Sequence, residues 1–364
     1  MKIFIHAHYY LPKTLAGAEK FLHEIAVYLV NNGHDVIVSI DDETDGYQYG
    51  GIRVVSNKRD INQYYVWADK IITHLLNSET AINLAWYHNK PLYHLLHNNN
   101  PHPYLLSGPV NNYIIYNSEA LAGELNLPLP FIVCHPVIDC DYWANDIDHY
   151  YSRFITLVNC AVEKGGMLLQ HLADAMPQHR FLGIKGGYNV QIIQVNSFRN
   201  IQFMAPQQDM RTIYNDTRII IMPSVYESWG MVASEAMASG IPVICSDTRG
   251  LHENCGDAAT YCNGQNVQEF KEAINMLVNH KNIYDEVVSM GKKRNRKNDL
   301  NKLLKFMESN NQEAKGKEAI REKQEPEPVQ EKREISQVKE KKTIERPGVV
   351  VKKRGRKPKI SENG

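Results

Sequence analysis

Two glutamates, Glu227 and Glu235, stand eight positions apart in the stretch PSVYESWGMVASEAMASGIPVICSDTRGLHE, residues 223–253. Carboxylates accept hydrogen bonds, so a pair set before and inside one helix suits sugar and ribose hydroxyls, which donate them. Between the two lies a small loop, Ser228-Trp229-Gly230, that opens an apolar helix. The amides of Gly230, Met231 and Val232 would meet an incoming phosphate with the positive end of the helix behind them. Counting 3.6 residues per turn, Glu235 is expected two turns into that helix. Lys164 lies in a second turn, Glu163-Lys164-Gly165-Gly166, at the start of another helix. A lysine there can neutralise a diphosphate leaving group.

These residues need a scaffold. The apolar run 219–222 reads as a buried parallel strand before the first loop, and 242–245 as the strand after its helix. Strand, turn, helix and strand put the turn at the carboxyl end of a sheet, where α/β proteins bind ligands. The same alternation fills the second half: strands at 154–158, 181–184 and 201–204, a helix from Gly166 through Ala175, a short helix at 209–215, and a long helical pattern from Val267 to about Met307. The first half begins with a strand at 2–5 and a turn holding Gly17. A helix follows with Phe21, Leu22, Ile25, Leu29 and Val30 on one stripe, closed by Gly33, and then a strand at 36–40. Further apolar runs follow at 70–73, 91–96, 113–116 and 131–134. The expected fold class is α/β: two Rossmann-like domains, residues 1–145 and 146–308, facing across a cleft, then a disordered charged tail from 309 to 364.

The Glu-x7-Glu spacing, the trailing EAMASGIPVI and the later Gly250-x-x-Glu253 resemble the signature of the family 4 retaining glycosyltransferases. That resemblance implies a GT-B architecture and a nucleoside diphosphate sugar as co-substrate, with UDP-glucose first and a GDP sugar second. It implies that Glu227 contacts hydroxyls of the donor sugar and that Glu235 holds the ribose. The segment LAGAEKF is similar to the family's glycine-rich first loop over the donor phosphates; Gly17 is present, and Ala16 takes the place of the other glycine. Lys164 matches the lysine of the family's basic pair, but Asn159-Cys160 stands where the arginine is expected, and Lys185 is the nearest replacement. His97, after PLYHLLH, falls where the family often has a histidine near the reacting sugar, with His94 and His74 behind it. Asp139-Cys140-Asp141 mimics a metal-binding Asp-x-Asp motif, but PVIDCDYW reads as an interdomain loop. The expected catalysis uses Glu227, Lys164 and His97 without metal or any other cofactor.

Composition bounds the rest. The 364 residues suffice for two α/β domains. No 18-residue apolar run marks a membrane span, and MKIFIHAHYYLP reads as a first strand, not a signal peptide. The six cysteines lack Cys-x-x-Cys spacing and read as reduced thiols of a cytoplasmic protein. Lys+Arg and Asp+Glu balance at 41 each, but from Asn311 onward the count is 16 against 10, leaving 25 against 31 before it. The excess sits in the last residues, where Lys352-Lys353-Arg354-Gly355-Arg356-Lys357-Pro358-Lys359 resembles an AT-hook that lays arginines into the minor groove of A·T-rich DNA. Lys353, Arg354, Gly355, Arg356, Lys357 and Lys359 are the expected DNA contacts.

Three readings stand at this stage. One is a glycosyltransferase acting on modified bases in DNA, in phage-infected bacterial cytoplasm. A second is a glycosyltransferase for a cell-surface glycan, glycolipid or small acceptor. The third is a non-catalytic DNA-binding protein on a transferase scaffold.

Overall fold

The computed structural model describes residues 1–109, 111–187, 189–193, 199–294 and 298–321. Residues Met1–Gly316 form one compact unit that holds two parallel-sheet domains.

In the first domain, β1 (Lys2–His6), α1 (Gly17–Asn31) and β2 (Asp35–Ile40) make the expected βαβ unit. β3 (Tyr47–Tyr49), β4 (Ile52–Ser56), α2 (Asn62–Trp67), β5 (Lys70–His74), α3 (Ser78–Tyr87), β6 (Leu92–Leu96), β7 (Asn112–Tyr116), α4 (Glu119–Leu125) and β8 (Phe131–Val133) follow. The eight strands run in the order β3-β4-β2-β1-β5-β6-β7-β8. All pair in parallel except β3 with β4. That hairpin was not legible: β3 is three residues long and carries no buried residue. Alternate residues of β1 face opposite sides, as the pleat requires. Ile3 and Ile5 pack with Phe21, Leu22 and Ile25 of α1, while Phe4 packs with Tyr65, Ile71 and Ala81.

In the second domain, α5 (Cys140–Trp143) leads into β9 (Phe154–Val158), α6 (Gly166–Ala175), β10 (Arg180–Ile184), β11 (Ile201–Met204), α7 (Arg211–Tyr214), β12 (Thr217–Met222), α8 (Met231–Ala238), β13 (Val243–Ser246), α9 (Arg249–Cys255) and β14 (Ala259–Cys262). The six strands are ordered β11-β10-β9-β12-β13-β14, all parallel. Both sheets reverse their strand order at the centre, between β1 and β5 and between β9 and β12. Such a switch point opens a crevice at the carboxyl ends of the strands.

The long helical pattern after Val267 is three helices, not one: α10 (Val267–Asn279), α11 (Lys281–Lys293) and α12 (Leu300–Arg321). His280, with φ −127° and ψ 88°, breaks the first from the second. α10 and α11 pack on the second domain. α12 returns to the first, where Leu300, Leu303, Leu304 and Met307 are buried against the cluster of Ile3 and Phe21. A helical period reports an apolar stripe, not which core receives it. Where a tail was expected from 309, α12 runs on through Arg321. Lys353, Arg354, Gly355, Arg356, Lys357 and Lys359 lie outside the described residues. No helix among the described residues is long and apolar enough to cross a membrane.

Among the histidines of the first domain, His6, His74 and His94 are buried and His97 is half-buried with its ring nitrogen Nε2 enclosed. His6 Nδ1 pairs with the Tyr65 hydroxyl at 2.8 Å, and His94 Nε2 donates to Asn112 Oδ1 at 2.9 Å. Burial pushes His6, His94 and His97 down to about 4, and His74, next to His97, well below its usual value. The unfolded chain therefore binds more protons between pH 6.5 and 4, so stability rises with pH across that window. Protonating His6, His94 or His97 inside the fold costs on the order of 3 kcal/mol each. The thermal midpoint should hold above about pH 7 and drop steeply from pH 6.5 to 4. A melting curve independent of pH over that window would contradict this account of the core.

Candidate active site

A cavity of about 390 Å³ lies between the carboxyl ends of the two sheets. Its lining takes Gly17, Lys20 and His97 from the first domain and Lys164, Glu227 and Glu235 from the second.

Glu227 follows β12 and is mostly buried. Lys164 Nζ donates to its Oε1 at 2.6 Å and to the Tyr226 carbonyl at 3.5 Å, and Ser224 Oγ donates to the same Oε1 at 2.9 Å. Gly230, with φ 86°, turns the chain into α8. A Cβ at this position would stand 2.7 Å from Leu251 Cδ2, so both conformation and space require glycine. Asn254 pins the turn, its Nδ2 donating to the carbonyls of Trp229 at 3.1 Å and Gly230 at 2.9 Å. The first N–H groups of α8 have no acceptor within the helix and point toward the cavity end.

Because α8 starts at Met231, Glu235 lies one turn into it, not two. It is 3% exposed. Tyr214 donates to its Oε2 at 2.9 Å, and Lys20 Nζ reaches across from the first domain to its Oε1 at 2.7 Å. Sequence reasoning missed both partners. Lys20 did leave a signal: a lysine at the start of a helix opposes the helix dipole and calls for a nearby anion.

Gly17 is the first residue of α1 rather than part of the turn before it, with Ala16 as N-cap. A side chain there would lie 3.3 Å from Met231 Cγ, so the two domains nearly touch at this point. His97 follows β6, and its carbonyl accepts from Ser228 Oγ at 2.6 Å. Its ring meets Phe21 and His74 edge-on at 6.0 and 5.7 Å, and its Nε2 is buried without a hydrogen-bond partner among the described residues. Burial holds the ring neutral. His94 and His74 are buried within the first domain and do not line the cavity. Asp139 caps α5, accepting from the Tyr142 N–H at 3.0 Å. Among the described residues no three His, Cys, Asp or Glu side chains gather as a metal site.

A second contact joins the domains beside the cavity. Glu253 accepts from the N–H groups of Glu119 and Ala120 at the start of α4, at 2.9 and 2.7 Å. It also pairs with His135 Nε2 at 2.6 Å, and His135 Nδ1 pairs with Asp299 at 2.5 Å. Burial pushes the Glu253 carboxyl up, but the bonds from His135, Ala120 and Glu119 outweigh it and hold the group below the usual range. The carboxylate of Gly250-x-x-Glu253 thus holds the halves together. His135 and Asp299 carried no sequence signal, since their pairing spans 164 positions.

Residues 167–280 match the family model described as glycosyl transferases group 1. The chain is 42% identical over 53 residues to the O-antigen chain mannosyltransferase B of Escherichia coli, covering 15% of this chain and 14% of that protein. It is 33% identical over 84 residues to the D-inositol 3-phosphate glycosyltransferase of Corynebacterium aurimucosum, covering 22% and 20%. The matched stretches thus span a fifth or less of these relatives. The structure superimposes on Anabaena HepE in complex with UDP and glucose at TM-score 0.66 and 17% identity, covering 80% of this chain and 94% of that one. It also superimposes on the sucrose-phosphate synthase of Thermosynechococcus elongatus at 0.64 and 14%, covering 88% and 98%. The fold is GT-B. The two Rossmann-like domains and the cleft between them are those of this architecture.

Glu253→Ala would leave two N–H groups and one face of a buried imidazole without an acceptor. The expected loss is about 2–4 kcal/mol of unfolding free energy, read from chemical denaturation. A midpoint equal to that of the unmodified protein would remove Glu253 as a stabilising link between the domains.

Proposed function

We propose that the protein is a retaining glycosyltransferase of the family 4 type, taking its sugar from a nucleoside diphosphate sugar, UDP-glucose first and a GDP sugar second. The observation that carries this reading is the convergence of Glu227, Glu235, Lys164 and the start of α8 on one cavity at the carboxyl ends of both sheets. The group 1 match covers the segment that supplies Glu227, Glu235 and α8, and a structural neighbour was solved with UDP and glucose.

In this reading Glu235 accepts from the ribose hydroxyls and Glu227 from hydroxyls of the donor sugar. Breaking the bond between sugar and diphosphate builds positive charge on the ring and negative charge on the phosphate. Lys164 and the amides of Gly230, Met231 and Val232 stabilise the negative side. Neutral His97 offers a buried ring nitrogen beside the reacting sugar. Both cavity carboxylates are held by lysines, which favours direct same-face substitution, the leaving phosphate taking the acceptor's proton. No metal is needed, and closure of the cleft limits hydrolysis.

Two acceptor classes have support. The Lys352–Lys359 segment favours DNA, whose phosphates it would meet. The names of the glycan- and inositol-directed relatives favour a carbohydrate acceptor. A non-catalytic protein would have no use for the retained Glu227, Glu235 and Lys164. Labelled UDP-glucose and GDP sugars, offered with hydroxymethylated DNA or lipid and glycan acceptors, separate the readings. Transfer should persist in EDTA. Loss in EDTA with rescue by manganese would overturn metal independence, and no transfer to any acceptor would favour the binding protein. Glu235→Ala should weaken UDP or GDP binding by roughly 1–3 kcal/mol. Calorimetry giving unchanged nucleotide affinity would contradict the ribose assignment.

A further inference from the structure

We propose that Lys185 supplies the second positive charge that holds the donor diphosphate, at a site where Asn159 supplies none. The proposal rests on the reading of the cavity as a nucleoside diphosphate sugar site.

Asn159 follows β9 directly, in a left-handed conformation with φ 73°. Its side chain is committed to the protein: Oδ1 accepts from the Ala161 N–H at 3.1 Å and from Gln191 Nε2 at 3.1 Å. Gln191 Oε1 in turn accepts from the N–H groups of Cys160 at 3.0 Å and Gly186 at 2.8 Å. These bonds tie the loop after β10 to the end of β9. The contact is close: a Cβ on Gly186 would stand 2.3 Å from Asn159 Oδ1 and would have to displace that amide from its hydrogen bonds. The backbone of Lys185, just before it, is fixed by its N–H on the Met204 carbonyl at 2.9 Å. Asn159 is therefore a positioning residue for the loop that carries Lys185.

Charge singles out Lys185. The described lining carries three lysines and two carboxylates. Lys20 is paired with Glu235 and Lys164 with Glu227. Lys185 is exposed at the cavity edge and has no side-chain hydrogen bond or ion pair among the described residues. Among the described residues it is the one lining cation free to meet a phosphate without first leaving a carboxylate.

The test is calorimetry of UDP, UMP, GDP and GMP with the full chain, unmodified and as Lys185→Ala and Lys185→Arg. Lys185 is exposed, so both variants should melt as the unmodified protein does. Lys185→Ala should lose about tenfold in affinity for the diphosphate and much less for the monophosphate, and Lys185→Arg should recover most of it. Unchanged diphosphate affinity in Lys185→Ala, or an equal loss for both nucleotides, overturns the role while leaving the donor reading intact. Failure of the unmodified protein to bind any of the four nucleotides overturns the donor reading itself.

Discussion

Two lysines sit where helices begin, the place least favourable to positive charge, and each is held there by a shielded glutamate. Lys20 lies in the opening turns of α1 and pairs with Glu235; Lys164 lies in the turn before α6 and pairs with Glu227. Exposed pairs contribute up to about 1 kcal/mol, but removing one partner of a buried pair costs roughly 3–5 kcal/mol, because the other charge is left without water. Glu235 is buried enough for the larger figure to apply. The approach of Gly17 to Met231 places α1 and α8 end to end across the cleft, and the Lys20–Glu235 bond spans that junction. Both N-terminal dipole ends thus face one cavity, with the carboxylates offsetting the lysines beside them.

That balance sets the chemistry available. His97 adds no charge because burial keeps it neutral, so the described lining carries one net positive charge, on Lys185. In a cavity with restricted water, one net cation and oriented amides attract an anion more strongly than at an open surface. Each carboxylate has lone pairs beyond those its lysine takes, so it can accept from hydroxyls while still paired. An anionic group joined to a hydroxyl-rich one matches both demands, which is the physical content of the proposed donor.

Much of this was legible in the sequence, and what was not has a common cause. Strands β1, β9 and β12 were readable because a strand buried on both faces is a nearly continuous apolar run, and the helix from Gly166 to Ala175 because a glycine turn opens an apolar stripe. Glu227 and Lys164 stood out because each sits beside a turn whose residues constrain the backbone, and Glu235, inside α8, only through its spacing from Glu227 and the resemblance that spacing carries. The hairpin of β3 was too short to leave a period. Lys20, Tyr214, His135 and Asp299 act through partners 21 to 215 positions away, and only the fold reveals such pairs. α12 displayed its stripe plainly, yet the stripe did not say that it belonged to the first domain.

The central claim is that the two carboxylates and the start of α8 form one nucleotide site. A crystal structure of the protein with UDP-glucose tests it most directly. The account places the diphosphate oxygens within hydrogen-bond distance of the Gly230, Met231 and Val232 amides and Lys164, with the ribose hydroxyls on Glu235. A nucleotide bound outside the cavity, or inside it with the ribose turned away from Glu235, would contradict the account.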